Sequence, residues 1–261
     1  MTHTPYQRLD EVVAGLGTLE REAIDRRDRR AIFLTVYGEM SREMKRLVEA
    51  GAFADSEWVA RYTVAFANFY REAYDAYERR TPVAKCWRIA FDTANRGAAL
   101  VAQDLLLGIN AHINHDLALA LEVIGIDPER DARLADHTAV NEVLRSLTDA
   151  VSARVSELYA PGLAGIDECA GTLDEGVSNF SLALARENAW EAAVALANAR
   201  SEIERRAIRR LLDVRGSAIA RLILVPNLNP IVLGTCRRIE EGAWWTALSG
   251  LRRLAAERQP S

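Results

Sequence analysis

The stretch that decides the fold reads Ala98-Ala-Leu-Val-Ala-Gln-Asp-Leu-Leu-Leu-Gly-Ile-Asn-Ala-His-Ile-Asn-His-Asp-Leu-Ala-Leu-Ala-Leu121. It is rich in helix formers, lacks proline, and is apolar nearly all round a helical wheel. A helix of that kind is buried by its fold. The spacing therefore predicts a central helix over about 98–124 with other helices packed around it.

The flanks read the same way. Amphipathic runs cover about 6–26 and 29–50 and end at Gly51. Asp55 or Ser56 supplies an N-cap for a helix to about Arg80, which Thr81-Pro82 breaks. That helix carries an aromatic stripe, Trp58, Tyr62, Phe66, Phe69, Tyr70, Tyr74 and Tyr77, at spacing that signals core packing. Pro82 opens a short helix through Trp87 and Phe91, and Gly97 ends it. Asp127-Pro128 reads as an N-cap with proline at the first helical position. The helix it opens, with a break near Asp136, runs to Tyr159. Helices over about 178–199 and 202–224 follow, the second bent near Gly216. Two short helices, about 231–241 and 243–256, finish the chain. No period-2 run of β-branched residues with hairpin signals appears. The expectation is an all-α, single-domain bundle of eight to ten helices over residues 1–261, with 1–28 and 242–261 peripheral.

Composition narrows the function classes. Hydrophobic residues make up 49% of the 261 residues and charged ones 27%, too apolar a balance for a disordered chain. The formal net charge is −4. All basic residues but Lys45 and Lys85 are arginine, and the Arg26–Arg30 and Arg205–Arg210 runs mix with or adjoin acids. They read as solvated helix faces, and no nucleic-acid footprint results. No run reaches the ~18 apolar residues of a membrane span, and no secretory leader is visible. Three isolated cysteines, Cys86, Cys169 and Cys236, read as reduced thiols, so a cytoplasmic setting is expected.

The central helix also holds the chemistry. Two of the four histidines, His112 and His115, lie on it. At about 100° per residue, Asp104, His112, His115 and Asp116 share one face, with Gly108 making room among them. Gln103, Asn110 and Asn114 form a second arc. Buried polar groups must be paired or they cost free energy. His112 and Asp116, at i and i+4, can converge on a metal or form an acid–base pair. A structural network satisfied by Arg88 or Arg96 is the competing account. Further ligands would come from Glu39, Glu72, Asp92, His137 or Glu187 on other helices. Arg186 and Trp190 form a second polar island whose cation can stack, meet an anionic substrate group, or pair with Asp104 or Asp116.

At Gly108–Leu121 the chain resembles a bacterial family of unknown function, common in actinobacteria, with an Asn-Ala-His-Ile-Asn-x-Asp-Leu signature. Pro82 through Trp87-Arg88, Val140-Asn141, Arg186 to Trp190 and Leu224-Val225-Pro226 support it. The resemblance spans most of 30–240 and implies a shared site of Asn110, His112, Asn114 and Asp116, but no reaction. A looser likeness links His112-x-x-x-Asp116 and His137-x-x-x-Asn141 to the all-helical zinc-dependent phospholipase C and S1-P1 nuclease fold.

The expectation is thus a helical protein with a buried His/Asp site. Catalytic roles fall to His112, Asp116 and Asp104, and metal ligation (zinc or iron) to His112, His115, Asp116 and His137. Substrate contacts fall to Arg186, Asn110, Asn114 and Trp190. Metal-assisted hydrolysis comes first. A non-haem iron oxidase, or a non-enzymatic module binding a small molecule or partner, is the alternative.

Overall fold

The computed structural model describes residues 4–97, 99–145 and 181–225. Every regular element among them is helical. In chain order they are α1 (Leu9–Asp25), α2 (Ala31–Glu49), α3 (Ser56–Glu78), α4 (Lys85–Arg96), α5 (Val101–Ala111), a π-turn (His112–Asp116), α6 (Leu117–Ile124), a helical run over 130–145, α7 (Leu182–Asn198) and α8 (Glu202–Leu224). The all-α reading holds. The helices expected over 231–256, Cys169 and Cys236 lie outside the described residues.

Local chemistry explains the boundaries. The Asp55 carboxylate accepts the Trp58 N–H and starts α3. Ser181 and Ser201 cap α7 and α8 in the same way, accepting from Leu184 and Glu204. Gly97, at φ +61°, ends α4 in the left-handed conformation that a side chain would resist. Two expectations need correction. Residues 81–84 have no regular structure, so Pro82 precedes α4 without opening it, and Pro128 likewise lies before the helix that begins at 130. Asp136 breaks nothing. It sits within a continuous helix, and its carboxylate accepts the N–H groups of Ala54 and Asp55, holding the start of α3.

The central 98–124 segment is not one uniform helix. Leu117 N–H reaches back five residues to the His112 carbonyl, so one wider turn separates α5 from α6. That turn marks a change of partner. Leu107 and Ala111 belong to an apolar cluster with α1, α2 and α4. Ile113, Leu117 and Leu121 belong to a second, with Trp58, Val140, Ala189 and Trp190. The π-turn packs on α3, α7 and α8 as well as its own flanks. Residues 1–28, expected at the periphery, include α1, whose Val12 and Leu16 are fully buried in the first cluster.

The second polar arc has a clear task. Gln103 Nε2 donates to the Ile223 carbonyl at 2.8 Å, and Asn110 Nδ2 to the Gly216 carbonyl at 2.8 Å. Amides seven residues apart grip carbonyls seven residues apart, so α5 and α8 run antiparallel. Asn114 Nδ2 donates to Asn110 Oδ1 at 3.0 Å and fixes that amide's orientation. Gly216 also lets α8 come close to α4, since a Cβ there would lie 3.1 Å from Cys86 Cβ.

Candidate functional site

The π-turn brings His112, His115 and Asp116 together. His112 Nδ1 lies 3.0 Å from Asp116 Oδ2, and His115 Nδ1 lies 2.7 Å from Oδ1. Trp87 on α4 donates its indole N–H to Oδ2 at 2.9 Å. One buried carboxylate thus meets three donors. Arg88 and Arg96 are exposed and stay out of this network.

The charges follow from the environment. Burial would raise Asp116, but the hydrogen bonds from His112 and His115 outweigh it and hold the carboxyl below its usual range. Burial pulls both imidazoles down. The bond to Asp116 overcomes this at His115, which ends raised, but not at His112, which ends lowered. The cluster therefore favours a charged His115 beside Asp116 and a neutral His112. A neutral imidazole has one ring proton. The carboxylate beside Nδ1 keeps that proton there, as a carboxylate orients a catalytic or ligating histidine. Nε2 is left as a bare acceptor, buried and without a hydrogen-bond partner among the described residues.

Aromatic rings box in this imidazole. Phe66 lies flat against it, centroid to centroid 3.5 Å with planes 6° apart. Tyr37 meets it at 4.6 Å, edge to face. Phe33, Tyr70 and Trp87 complete the box. Gly108 makes the box possible, because a Cβ there would sit 2.6 Å from the Phe33 ring. Beside the box lies a mostly apolar cavity of about 110 Å³, to which Phe33, Tyr37, Phe66 and His112 contribute. Ser41, Met44, Ile109 and Arg186 also line it. The Tyr37 and Ser41 hydroxyls are neighbours, with no hydrogen-bond partner elsewhere among the described residues.

A second polar cluster borders the same cavity. Arg186 is 2% exposed. Its Nε donates to Asn141 Oδ1 at 2.6 Å, Nη1 to the Tyr62 hydroxyl at 3.3 Å, and Nη2 to the His137 carbonyl at 2.6 Å. Nη2 also lies 3.3 Å from His137 Nδ1. Burial and the Arg186 charge push His137 well below the ordinary histidine value, so it is neutral. Trp190 packs against the His137 ring at 5.3 Å. Arg186 meets neither Asp104 nor Asp116, correcting the expected ion pair.

Asp104 belongs elsewhere. Its Oδ2 accepts from Arg29 Nε at 2.6 Å, beside the loop between α1 and α2. Burial, only partly offset by Arg29, pushes its carboxyl up to about 6. Sharing a helical face with His112 did not make it share a site, because eight residues span about 12 Å along the axis. Asn110 and Asn114, expected at the substrate, are bound to each other and to α8. Glu39 pairs with Arg42, Asp92 accepts from Tyr77, and Glu72 and Glu187 are exposed. Of the expected ligands, His112, His115 and Asp116 meet, while His137 is engaged with Tyr62 and Arg186. Among the described residues no group of three or more His, Cys, Asp and Glu side chains is placed to hold a metal ion. No helix among them is long and apolar enough to cross a membrane.

Sequence reasoning passed over Trp87, Tyr37, Phe66 and Tyr62 as site residues. Phe66 and Tyr62 stood within the α3 stripe, read as core. The usable signal was chemical, since buried indole and phenol groups usually find a polar partner.

A family model described as a family of unknown function (DUF5995) matches residues 9–226. No curated protein and no solved structure matches the chain.

Proposed function

The chain belongs to this family of unknown function, and we propose that it binds a small, mainly apolar molecule in the cavity between α2, α3, α5 and α7. One observation carries this reading: His112 Nε2, an acceptor fixed by Asp116, is unpaired beside that cavity. Leaving such an atom unpaired costs roughly 1–3 kcal/mol, which a ligand O–H or N–H would recover. The volume is somewhat below the ~150 Å³ of a cavity that takes up benzene, so one ring or a short branched chain is the scale. The dyad also allows proton abstraction from a bound hydroxyl, with Nε2 as base and Asp116 steadying the imidazolium. That step deepens the binding reading and needs no further residue.

The test uses phenol and benzene titrated into the purified protein, followed by calorimetry or ligand-observed NMR. Phenol should bind about five- to tenfold more tightly, the equivalent of one neutral hydrogen bond. In His112→Phe that advantage should vanish while benzene binding persists. Equal binding of the two probes by the unaltered protein sinks the reading. So does stoichiometric zinc or iron that is lost in His112→Ala, which would favour metal-assisted hydrolysis instead.

A further inference from the structure

Arg186 is a buried cation solvated only by neutral groups. The groups facing its guanidinium are Tyr62 from α3 and His137 and Asn141 from the 130–145 helix. No carboxylate among the described residues pairs with it. Arginine stays protonated at any pH a protein survives, so this charge persists, and a buried charge normally requires a counter-ion. Its five N–H groups outnumber the four acceptors within reach. Nη1 donates only to Tyr62, and both Arg186 and Tyr62 line the cavity. A mostly apolar cavity thus has one cationic wall.

We propose that the ligand of this cavity is an anion, a monocarboxylate whose compact apolar body carries one hydroxyl: its carboxylate meets Arg186 Nη1, and its hydroxyl is the donor that His112 Nε2 lacks. This rests on the binding function proposed above and adds the charge of the ligand to it. The carboxylate supplies the absent counter-charge, and its apolar body fills the space between Phe66, Ile109 and Met44. A carboxylate accepts hydrogen bonds without giving any, which matches a wall that can only donate. His137 is held neutral beside Arg186, so it adds no competing charge.

Benzoate, benzyl alcohol and benzene form the test set on the full chain, read by calorimetry at pH 7.5. Benzoate should bind at least about tenfold more tightly than benzyl alcohol, the usual advantage of a hydrogen bond to a charged group. Arg186→Gln should bring benzoate and benzyl alcohol to similar affinity, with the loss for benzoate at least about tenfold larger than any change for benzene. Arg186→Lys, which keeps the charge but loses the planar fork, should retain part of the preference and serves if the Gln variant does not fold. Equal affinities for benzoate and benzyl alcohol in the unaltered protein overturn the anion assignment while leaving the cavity reading intact. Failure of all three probes to bind overturns the cavity reading itself.

Discussion

The two polar clusters on either side of the cavity solve the same problem in opposite ways. Around Asp116 the charge is balanced from within. The carboxylate has His115 as its counter-ion and two further donors, His112 and Trp87. Around Arg186 the charge is only solvated, by Tyr62, Asn141 and the backbone of His137. In the first cluster the unmet group is a neutral acceptor, and in the second it is a cation. A balanced cluster can orient a base without outside help. An unbalanced one is complete only when something else arrives.

The largest effect should come from breaking the balanced side. Asp116→Ala strands two buried donors, His112 and Trp87, and the part-buried His115, and removing one partner of a buried ion pair typically costs about 3–5 kcal/mol. Urea unfolding should show a loss of that size, and a loss below about 1 kcal/mol would mean that the cluster is not balanced as described. On the unbalanced side, Arg186→Met removes the donors to Tyr62 and Asn141 but also relieves an uncompensated buried charge. The net loss should be smaller, about 1–3 kcal/mol. If the methionine variant loses as much as Asp116→Ala, Arg186 has a counter-ion and the contrast fails.

The smallest effect is on pH dependence, and here the two clusters have opposite signs. His115 is raised above the ordinary histidine value of about 6.5. The folded state then holds a proton that the unfolded state has lost, so stability falls as pH rises above about 6.5. His137 and His112 are lowered from the same value. There the unfolded state takes up the proton first, so stability falls as pH drops below about 6.5. Asp104, raised to about 6, works against that acid limb from the ordinary carboxylate value of about 3.9 upward. Unfolding free energy should therefore peak near pH 6.5 and decline by about 1 kcal/mol per pH unit on either side. His115→Gln should flatten the alkaline limb and His137→Gln the acid one. A profile in which His137→Gln flattens the alkaline limb would reverse the assignment.

Much of this was visible in the residues. Capping chemistry placed Asp55 and Gly97 at their boundaries, because a cap is a local contact between near neighbours. The i, i+4 spacing of His112 and Asp116 survived the π-turn, and so did the arc of Gln103, Asn110 and Asn114. The pairing of Arg29 with Asp104 was invisible, since periodicity gives a direction around a helix and says nothing of what stands opposite. The role of α3 was hidden for a related reason. A stripe of rings looks identical whether it packs on leucine or, as Phe66 does, on an imidazole. The cationic wall was seen only as an island around Arg186, because its neutral surroundings depend on which helices enclose it.

The π-turn has a consequence of its own. An extra residue in one turn works as a gear change, letting α5 and α6 each keep its own rotational setting against different neighbours. Asn110 before it locks to α8, while Leu117 and Leu121 after it stay packed in the second apolar cluster. Shortening the turn by one residue would rotate one half of the segment by about 100° relative to the other. The dyad occupies the one place along the segment where that phase is set, so the geometry of the site and the alignment of the two half-cores are a single structural variable.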